Sequence, residues 1–270
     1  MHPIPKTYLF VPANRPERIA KAFAAGADEV IVDWEDAVPA TEKATARAAT
    51  ADYCRSGAPA VWLRLNGAAS PYHAEDLAAA TALPEIKGVL LAKTETAAEV
   101  GTVYQALGKP VMAVIENVHG WSKVPDIART NGVAAFTYGC LDLANSLGVR
   151  YGTAAAQTVF DRLRTDLLFH SRLNGLAAPI ETIYPDFNDT SGLQNAARYW
   201  HDMGWGGALC IHPKQVAAIK EALRPSESEL AFAAKVLAEA ERSGAAVFQV
   251  EGRMVDAPVI AWARQVLAAS

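Results

Sequence analysis

The sequence predicts a (β/α)8 barrel, the TIM-barrel fold, with a helical extension at its C-terminus. Short β-branched or apolar runs alternate with helix-period segments, which is typical of parallel strands joined by right-handed crossovers. Eight such pairs fit within the 270 residues, and a barrel of this type usually takes about 250. A doubly wound open sheet is the competing fold. It is disfavoured because Val11-Pro12-Ala13-Asn14 lacks the glycine-rich phosphate fingerprint that follows its first strand.

The eight predicted strands are bounded by polar or turn-forming residues. In chain order they are Thr7–Val11, Glu29–Asp33, Val61–Leu65, Gly88–Ala92, Val111–Ile115, Val133–Tyr138, Pro179–Tyr184 and Gly207–Ile211. The first helix is expected to open at Asn14 as its N-cap and to stop at Gly26. The other helices are Thr41–Tyr53, His73–Ala82, Ala97–Leu107, Val124–Arg129, Ala154–Arg172, Leu193–His201 and Gln215–Leu223.

Residues 225–270 are expected to form an extension to a barrel that occupies residues 1–224. Ser226–Glu229 predicts a capping box at the start of a further helix, and Gly244 is the expected stop. A last helix begins near Pro258, which suits a first helical turn. A tail this short cannot form a core alone, so we expect it to pack on its own barrel or on a neighbouring subunit.

The composition is typical of a globular enzyme, with 20% charged residues and a formal net charge of −4. This balance offers no basic surface to a nucleic-acid partner, and no apolar run reaches membrane-spanning length. The N-terminus lacks the apolar core of a signal peptide, so a cytoplasmic location is expected. Cys54, Cys140 and Cys210 are odd in number and widely spaced, which argues against a disulfide framework and a thiolate zinc site.

Polar side chains follow most of the predicted strands, at the end of the barrel where TIM-barrel active sites are built. Glu116 follows the fifth strand and Asp142 follows the sixth. Carboxylates without an accompanying His or Cys cluster favour Mg²⁺, with Mn²⁺ as an alternative, over zinc. These two residues are therefore the predicted metal ligands. Asp142 has an alternative role, because a strand-end carboxylate can also cap the helix that follows it.

Three more charged residues complete the predicted site. Arg64, at the third strand, carries a planar guanidinium suited to polarising a carbonyl or holding a carboxylate. Glu35, in the acidic run after the second strand, is a candidate catalytic carboxylate. Lys93 follows the fourth strand and is placed to pair with Glu35 or Asp36, which would orient the groups around the metal.

Nine segments, spread in order along nearly the whole chain, also carry a family resemblance. They are Tyr8–Arg18, Val32–Val38, Arg64–Asn66, Lys93, Ile115–Glu116, Gly139–Ala144, Thr182–Phe187, Cys210–Gln215 and Gly252–Pro258. In these segments the chain resembles the citrate lyase β-subunit-like proteins, which belong to the HpcH/HpaI aldolase and malyl-CoA lyase superfamily. The resemblance implies a (β/α)8 barrel that assembles as a homo-oligomer, either a trimer or a hexamer.

The resemblance also implies an activity. It implies a Mg²⁺ enzyme that cleaves or forms the carbon–carbon bond between a CoA thioester enolate and a 2-keto acid. Glu116 and Asp142 would be the metal ligands, and Arg64 would contact the keto acid and the thioester carbonyl. Asp256 matches a tail aspartate that enters a neighbouring subunit's site as acid or base. Positions that hold the CoA-bearing substrate in relatives are matched by Phe10, Arg15 and Lys21.

Several residues depart from the family pattern. Leu141 stands where relatives commonly carry an acidic residue, and Glu181 and Glu251 stand where they carry Asp. The leading hypothesis is a lyase for a short 3-hydroxyacyl-CoA, such as malyl-CoA or citramalyl-CoA. One alternative is a citrate lyase β subunit, which acts on an acyl-carrier-protein thioester, although Asp256 favours a self-sufficient lyase. The other is a non-catalytic barrel that binds an acyl-CoA or a protein, with Leu141 as a first sign of decay.

Overall fold

The structure is a computed structural model that describes residues 5–83 and 85–268. These residues form two compact units, of which the first ends at Ile219. The first unit is the predicted (β/α)8 barrel. Its strands are β1 (Thr7–Pro12), β2 (Glu29–Asp33), β3 (Trp62–Leu65), β4 (Gly88–Leu91), β5 (Val111–Ile115), β6 (Val133–Tyr138), β7 (Ile180–Glu181) and β8 (Gly207–Cys210).

Helices surround these strands and connect them in sequence. In chain order they are α1 (Glu17–Ala24), α2 (Lys43–Arg55), α3 (His73–Thr81), α4 (Ala97–Leu107), α5 (Val118–Ser122), α6 (Val124–Ile127), α7 (Cys140–Leu147), α8 (Ala154–Leu173), α9 (Thr190–Asp202) and α10 (Pro213–Ala222). All ladders between these strands are parallel, in the order β6-β5-β4-β3-β2-β1-β8-β7. Among the described residues, no helix combines the length and apolarity that a membrane crossing requires.

The inside of the barrel is filled by side chains. One buried cluster draws residues from seven different strands, which can meet only in the barrel interior; its members are Tyr8, Ile31, Leu90, Met112, Val114, Ala135, Ile180 and Leu209. Phe10, Trp62 and Ile183 pack against this interior cluster. Because the interior is a packed core, the polar chemistry of the barrel is confined to the ends of its strands.

The ring of strands has a seam between β6 and β7, which form no ladder with each other in the described part of the chain. One main-chain hydrogen bond crosses near their starts, from Ala177 N–H to the Ala134 carbonyl at 3.0 Å. At their ends, the Tyr138 hydroxyl donates to Glu181 Oε1 at 2.5 Å. Arg164 of α8 donates to both Glu181 oxygens, at 3.0 and 2.7 Å, so a buried ion pair closes the barrel there.

Two local predictions are wrong. Asn14 does not cap the first helix, because the helix begins at Glu17 with Pro16 in the N-cap position, and the Asn14 amide instead donates to Glu42 at 2.6 Å. The seventh strand was expected over Pro179–Tyr184 but contains only Ile180 and Glu181. Its next residue, Thr182, leaves the ladder and accepts a hydrogen bond from Cys140 N–H at 3.2 Å through its hydroxyl.

The second unit contains the C-terminal part of the chain from Lys220. Its elements are α11 (Glu227–Ser243), β9 (Phe248–Val250), β10 (Arg253–Val255) and α12 (Ala257–Ala268). The Ser226 and Glu229 capping box and the Gly244 stop are both confirmed. β9 and β10 form an antiparallel hairpin whose turn, Glu251-Gly252, has positive φ at both residues, as a type I′ turn requires.

Candidate active site

The carboxylate of Asp33 anchors Arg64 at the ends of β2 and β3. The two residues are partners in the parallel register, so their side chains stand next to each other. Arg64 Nε and Nη2 donate to the two Asp33 oxygens at 2.8 and 2.5 Å, a bidentate pair with Asp33 only 1% exposed. The Arg64 guanidinium also lies over the Phe10 ring, 4.8 Å from its centroid. Arg64 is therefore held in one orientation before any substrate binds.

Glu35 links Arg64 to Lys93. Its Oε2 lies 3.1 Å from Arg64 Nη1, and its Oε1 accepts a hydrogen bond from Lys93 Nζ. The predicted pairing of Lys93 with the acidic run is confirmed, since Asp36 also lies within 3.5 Å of its Nζ. Burial raises the pKa of Glu35, while the charge of Arg64 and the hydrogen bond from Lys93 oppose the rise.

Glu116 lies at the end of β5 and is 4% exposed. Its Oε2 accepts a hydrogen bond from the main-chain N–H of Lys93 at 3.0 Å. Gly139 packs directly against it, because a Cβ at that position would lie 2.8 Å from Glu116 Cγ and Oε1. Burial, followed by the charge of Glu35, raises the pKa of Glu116 to about 8, and the charge of Asp142 adds to this rise.

Asp142 lies in the first turn of α7, close enough to Glu116 for its charge to raise the pKa of that carboxyl group. Its carboxylate does not cap the helix, since the N-cap is Gly139 and no side-chain cap bond forms there. It accepts no hydrogen bond and forms no ion pair with any described residue. A carboxylate without a protein partner beside a buried carboxylate with a raised pKa is an arrangement that a cation would stabilise.

The donor set fits Mg²⁺. In the described residues, no three His, Cys, Asp or Glu side chains come together at metal-binding spacing. The protein therefore offers two carboxylates, Glu116 and Asp142, and Mg²⁺ commonly takes one or two and leaves its other positions to water and substrate. These two residues are the candidates to hold the ion.

A buried hydrogen-bond network supports the loop after β2. The sequence analysis did not predict this network. Lys43 Nζ donates to the carbonyls of Trp34 and Glu35, at 2.8 and 2.9 Å, and to Asn66 Oδ1 at 3.1 Å. Asn66 in turn donates to Asp76 Oδ2 at 2.6 Å. No sequence signal marks Lys43, because a lysine in a predicted helix is ordinarily a solvated residue.

The remaining predicted residues are Arg15, Lys21 and Asp256. Arg15 is exposed and pairs with Glu17 at 2.9 Å, and Lys21 lies on the exposed side of α1. Asp256 belongs to the second unit, where it precedes α12 and its Oδ1 accepts a long hydrogen bond from Val259 N–H at 3.5 Å. The structure thus brings together Phe10, Glu35, Arg64, Glu116 and Asp142.

Comparison with known proteins identifies the family of this chain. The sequence model described as HpcH/HpaI aldolase/citrate lyase matches residues 6–213. The chain belongs to this family. The resemblance seen in the sequence is thereby confirmed, and the chain is an enzyme of the citrate lyase β-like superfamily of lyases. The non-catalytic hypothesis loses its support.

Relatives match this chain along almost its full length. It is 35% identical to the citrate lyase subunit beta-like protein of Deinococcus radiodurans, over 97% of this chain and 96% of that protein. It is 32% identical to a (3S)-malyl-CoA thioesterase of Cereibacter sphaeroides, over 99% and 94% respectively. A crystal structure of Mycobacterium tuberculosis CitE with magnesium, acetoacetate and coenzyme A matches with a TM-score of 0.87 at 33% identity, covering 98% of each chain.

Proposed function

We propose that the chain is a Mg²⁺-dependent carbon–carbon lyase acting on a short 3-hydroxyacyl-CoA thioester, such as malyl-CoA, citramalyl-CoA or a related ester. The products are an acetyl-CoA-type thioester and a 2-keto acid. The observation that carries the proposal is the Glu116 and Asp142 carboxylate pair beside the anchored Arg64. Support comes from the Mycobacterium tuberculosis CitE structure, which contains magnesium, acetoacetate and coenzyme A.

Arg64 is positioned to bind a carbonyl oxygen of the substrate whose charge changes during the reaction. A guanidinium has five N–H donors; two of them donate to Asp33, and Nη1 lies 3.1 Å from Glu35 Oε2 without a hydrogen bond to it. Donors that Asp33 does not use are left for the carbonyl oxygen of the keto acid or of the thioester. Because Asp33 already fixes the guanidinium plane, little reorientation is needed when the substrate binds.

The cleavage requires that protons and electrons move in a defined order. The 3-hydroxyl loses its proton to a base, the bond between C2 and C3 breaks, and its electron pair becomes the enolate of the thioester. The enolate carbon then takes up a proton. Mg²⁺ bound by Glu116 and Asp142 would supply Lewis-acid polarisation of the oxygen that becomes the keto group.

Two carboxylates are proposed to move the protons. Glu35 is the proposed base within the barrel, because burial raises its pKa and so makes it a better proton acceptor than an ordinary carboxylate. Asp256 is the proposed acid, contributed by a neighbouring subunit of a homotrimer or homohexamer. Phe10, Arg15 and Lys21 are proposed to hold the CoA-bearing half of the substrate.

A metal-dependence assay tests the proposal. Glu116→Ala should abolish the Mg²⁺-dependent release of 2-keto acid from malyl-CoA or citramalyl-CoA, whereas Glu241→Ala, at an exposed position of α11, should retain wild-type turnover. Undiminished turnover after chelation of divalent ions would refute the proposal. Release of free CoA without keto acid would assign thioester hydrolysis instead, the activity named for the Cereibacter sphaeroides relative.

The citrate lyase β-subunit hypothesis differs in its substrate carrier. Such a subunit acts on an acyl-carrier-protein thioester and needs partner subunits. The purified chain alone, assayed on CoA esters, separates the two: we expect activity without partners. Activity seen only with a citryl thioester of an acyl carrier protein would favour the subunit hypothesis.

A further inference from the structure

Lys43 is the first residue of α2, and only 7% of it is exposed. Its ammonium group donates to the carbonyls of Trp34 and Glu35 and to the side-chain oxygen of Asn66. A lysine ammonium has three N–H donors, so all three are used. All three acceptors are neutral oxygens, and a cation that is taken out of water loses its hydration. The gain that offsets this loss is the joining of acceptors from two different loops.

The acceptors of Lys43 belong to the ends of two neighbouring strands. Trp34 and Glu35 follow β2, and Asn66 follows β3. Asn66 Nδ2 also donates to the Trp34 carbonyl at 3.0 Å, so the two loops are joined directly as well as through Lys43. The same two strand ends carry the side chains of Arg64 and Glu35, whose Nη1 and Oε2 lie 3.1 Å apart. Lys43 therefore joins the main chains on which this pair of side chains depends.

The Asn66 side of this arrangement is fixed to two helices. Asp76 of α3 is fully buried and accepts hydrogen bonds from the main-chain N–H and from Nδ2 of Asn66, at 3.0 and 2.6 Å. Its other oxygen accepts a hydrogen bond from Arg47 of α2 at 2.8 Å. Lys43 thus connects the loop after β2 to a buried network that α2 and α3 hold in place.

The carboxylate of Glu35 depends on its main chain for its position. Within the described part of the chain it accepts one hydrogen bond, from Lys93 Nζ to Oε1. Its Oε2 is buried and accepts none, although Arg64 Nη1 is near. The Lys93 side chain is long and 44% exposed, so it is a flexible partner. The carbonyl of Glu35, which Lys43 holds, therefore decides where Oε2 lies.

We propose that Lys43 is a positioning residue for the carbon–carbon cleavage. It holds the main chain of Glu35 so that Oε2 of the carboxylate lies beside Arg64, where it can accept the proton of the substrate hydroxyl. The inference rests on the proposed lyase function and deepens it, since it names the residue on which the proposed base depends. Lys43 itself is not proposed to contact the metal or the substrate, and it acts through Glu35.

The test begins with Lys43→Met, which retains the length of the side chain and removes its donors. The kcat for release of 2-keto acid should fall by about 10- to 100-fold, because a displacement of about 1 Å at the reacting groups has an effect of this size. KM and the Kd of Mg²⁺ should change by less than about threefold, since the metal carboxylates follow β5 and β6 instead.

Thr50→Val is the matched control from the same helix. Thr50 is buried in α2 and accepts a hydrogen bond from the ring N–H of Trp34 at 2.9 Å. Its replacement alters the same loop after β2 but leaves the bonds of Lys43 to the main chain in place. Thr50→Val should lower the melting temperature, as Lys43→Met does, but its kcat should stay within about twofold of the wild-type value.

A double-mutant cycle separates positioning from general support of the fold. In Glu35→Gln the proposed base is already absent, so the addition of Lys43→Met should lower kcat by less than about a further twofold. Equal fold losses from Lys43→Met in the two backgrounds would overturn the inference. Lys43→Gln, which retains two N–H donors, takes the place of Lys43→Met in the same cycle if the methionine variant does not fold.

Crystal structures give a readout that does not depend on turnover. In the Lys43 variants Oε2 of Glu35 should move by about 1 Å or more relative to Arg64, whereas in Thr50→Val it should stay in place. An unmoved Glu35 in the Lys43 variants would overturn the inference and leave the lyase proposal standing. Wild-type protein that releases no 2-keto acid from malyl-CoA or citramalyl-CoA with Mg²⁺ would overturn the lyase proposal, and the crystal structures would still decide whether Lys43 holds Glu35.

Discussion

The main-chain N–H of Lys93 donates a hydrogen bond to Glu116, and Lys93 holds a left-handed conformation, with φ of 51°, while doing so. A non-glycine residue in this region costs on the order of 1–2 kcal/mol. The side chain of the same residue reaches Glu35. One strained residue thus connects the candidate metal carboxylate with the carboxylate that contacts Arg64.

Replacement of Lys93 separates the roles of its backbone and its side chain. Lys93→Gly and Lys93→Met both lose the pairing with Glu35, so both should lower kcat by about tenfold or more while Mg²⁺ still binds. The glycine variant relieves the positive-φ strain and should melt at a higher temperature than the methionine variant. Equal melting temperatures would contradict the assignment of strain to this residue.

The contact between Gly139 and Glu116 leaves no room for a methyl group. Gly139→Ala should displace the Glu116 carboxylate and weaken Mg²⁺ binding by about 10- to 100-fold, as measured by calorimetry. Gly101→Ala is the control, because its Cβ would meet nothing closer than 3.9 Å, in α4. The expectation fails if Gly139→Ala binds Mg²⁺ like the control.

Mg²⁺ binding should depend on pH through Glu116. Its pKa lies near 8 without metal, above its usual 4.5, because of burial and the charge of Glu35. Below pH 8 the ion must displace a proton, so the apparent Kd should fall as the pH rises from 6 to 8 and level off above. Calorimetric titrations in buffers of different ionisation enthalpy would count the released proton.

The same pKa shift predicts a pH-dependent stability in metal-free protein. A raised folded-state pKa means that the contribution of Glu116 is fully present below about pH 4.5 and is lost as the pH rises through about 8. The metal-free protein should therefore lose thermal stability across this window relative to Glu116→Gln. An identical pH profile of the melting temperature in both proteins would rule out this role of Glu116.

Removal of one partner of the ion pair at the seam should destabilise the protein more than removal of both partners. Arg164→Met leaves Glu181 buried without its cation and should lower the free energy of unfolding by about 3–5 kcal/mol. The double variant Arg164→Met/Glu181→Leu removes both charges and should lose less than the single variant. Denaturant titration measures both, and a double variant less stable than the single one would contradict the prediction.

Asp256 should act in a neighbouring subunit. Asp256→Asn retains a helix-capping side chain before α12 and should fold normally but lose most of its kcat. Arg64→Lys should be inactive because lysine cannot form the bidentate pair with Asp33. Mixed and reassembled, the two inactive variants should recover part of the activity, since some sites then combine wild-type Arg64 with a wild-type Asp256. Arg162→Lys, an exposed substitution, should behave as wild type.

Much of the fold could be predicted because the periodicity of apolar residues and the spacing of the strands are local properties of the sequence. β2, β5 and β6 occupy the predicted residues, as does α4. The length of β7 could not be predicted, since Thr182 to Tyr184 are as compatible with a strand as Ile180. Their departure from the sheet depends on the hydrogen bond between Thr182 and Cys140, which is distant in sequence.

The polar residues at the ends of the predicted strands likewise located the candidate site. They did not reveal the residues that hold its side chains in place. Glu116, Asp142 and Arg64 could be named because each follows or ends an apolar run. The Asp33 anchor depends on the register between β2 and β3, which sets which side chains stand side by side. Such a register is a tertiary property, and the sequence of either strand alone does not contain it.

The seam between β6 and β7 has a consequence for how the barrel opens. This seam is joined by side-chain contacts and one main-chain hydrogen bond, so the ring can open there without breaking a strand ladder. Amides near Tyr138 and Glu181 should therefore exchange through a sub-global event and not through global unfolding. Glu116 and Asp142 follow β5 and β6, which share a ladder on the same side of the seam. Partial opening would therefore leave Glu116 and Asp142 next to each other while it exposes the buried contacts of Tyr138 and Glu181.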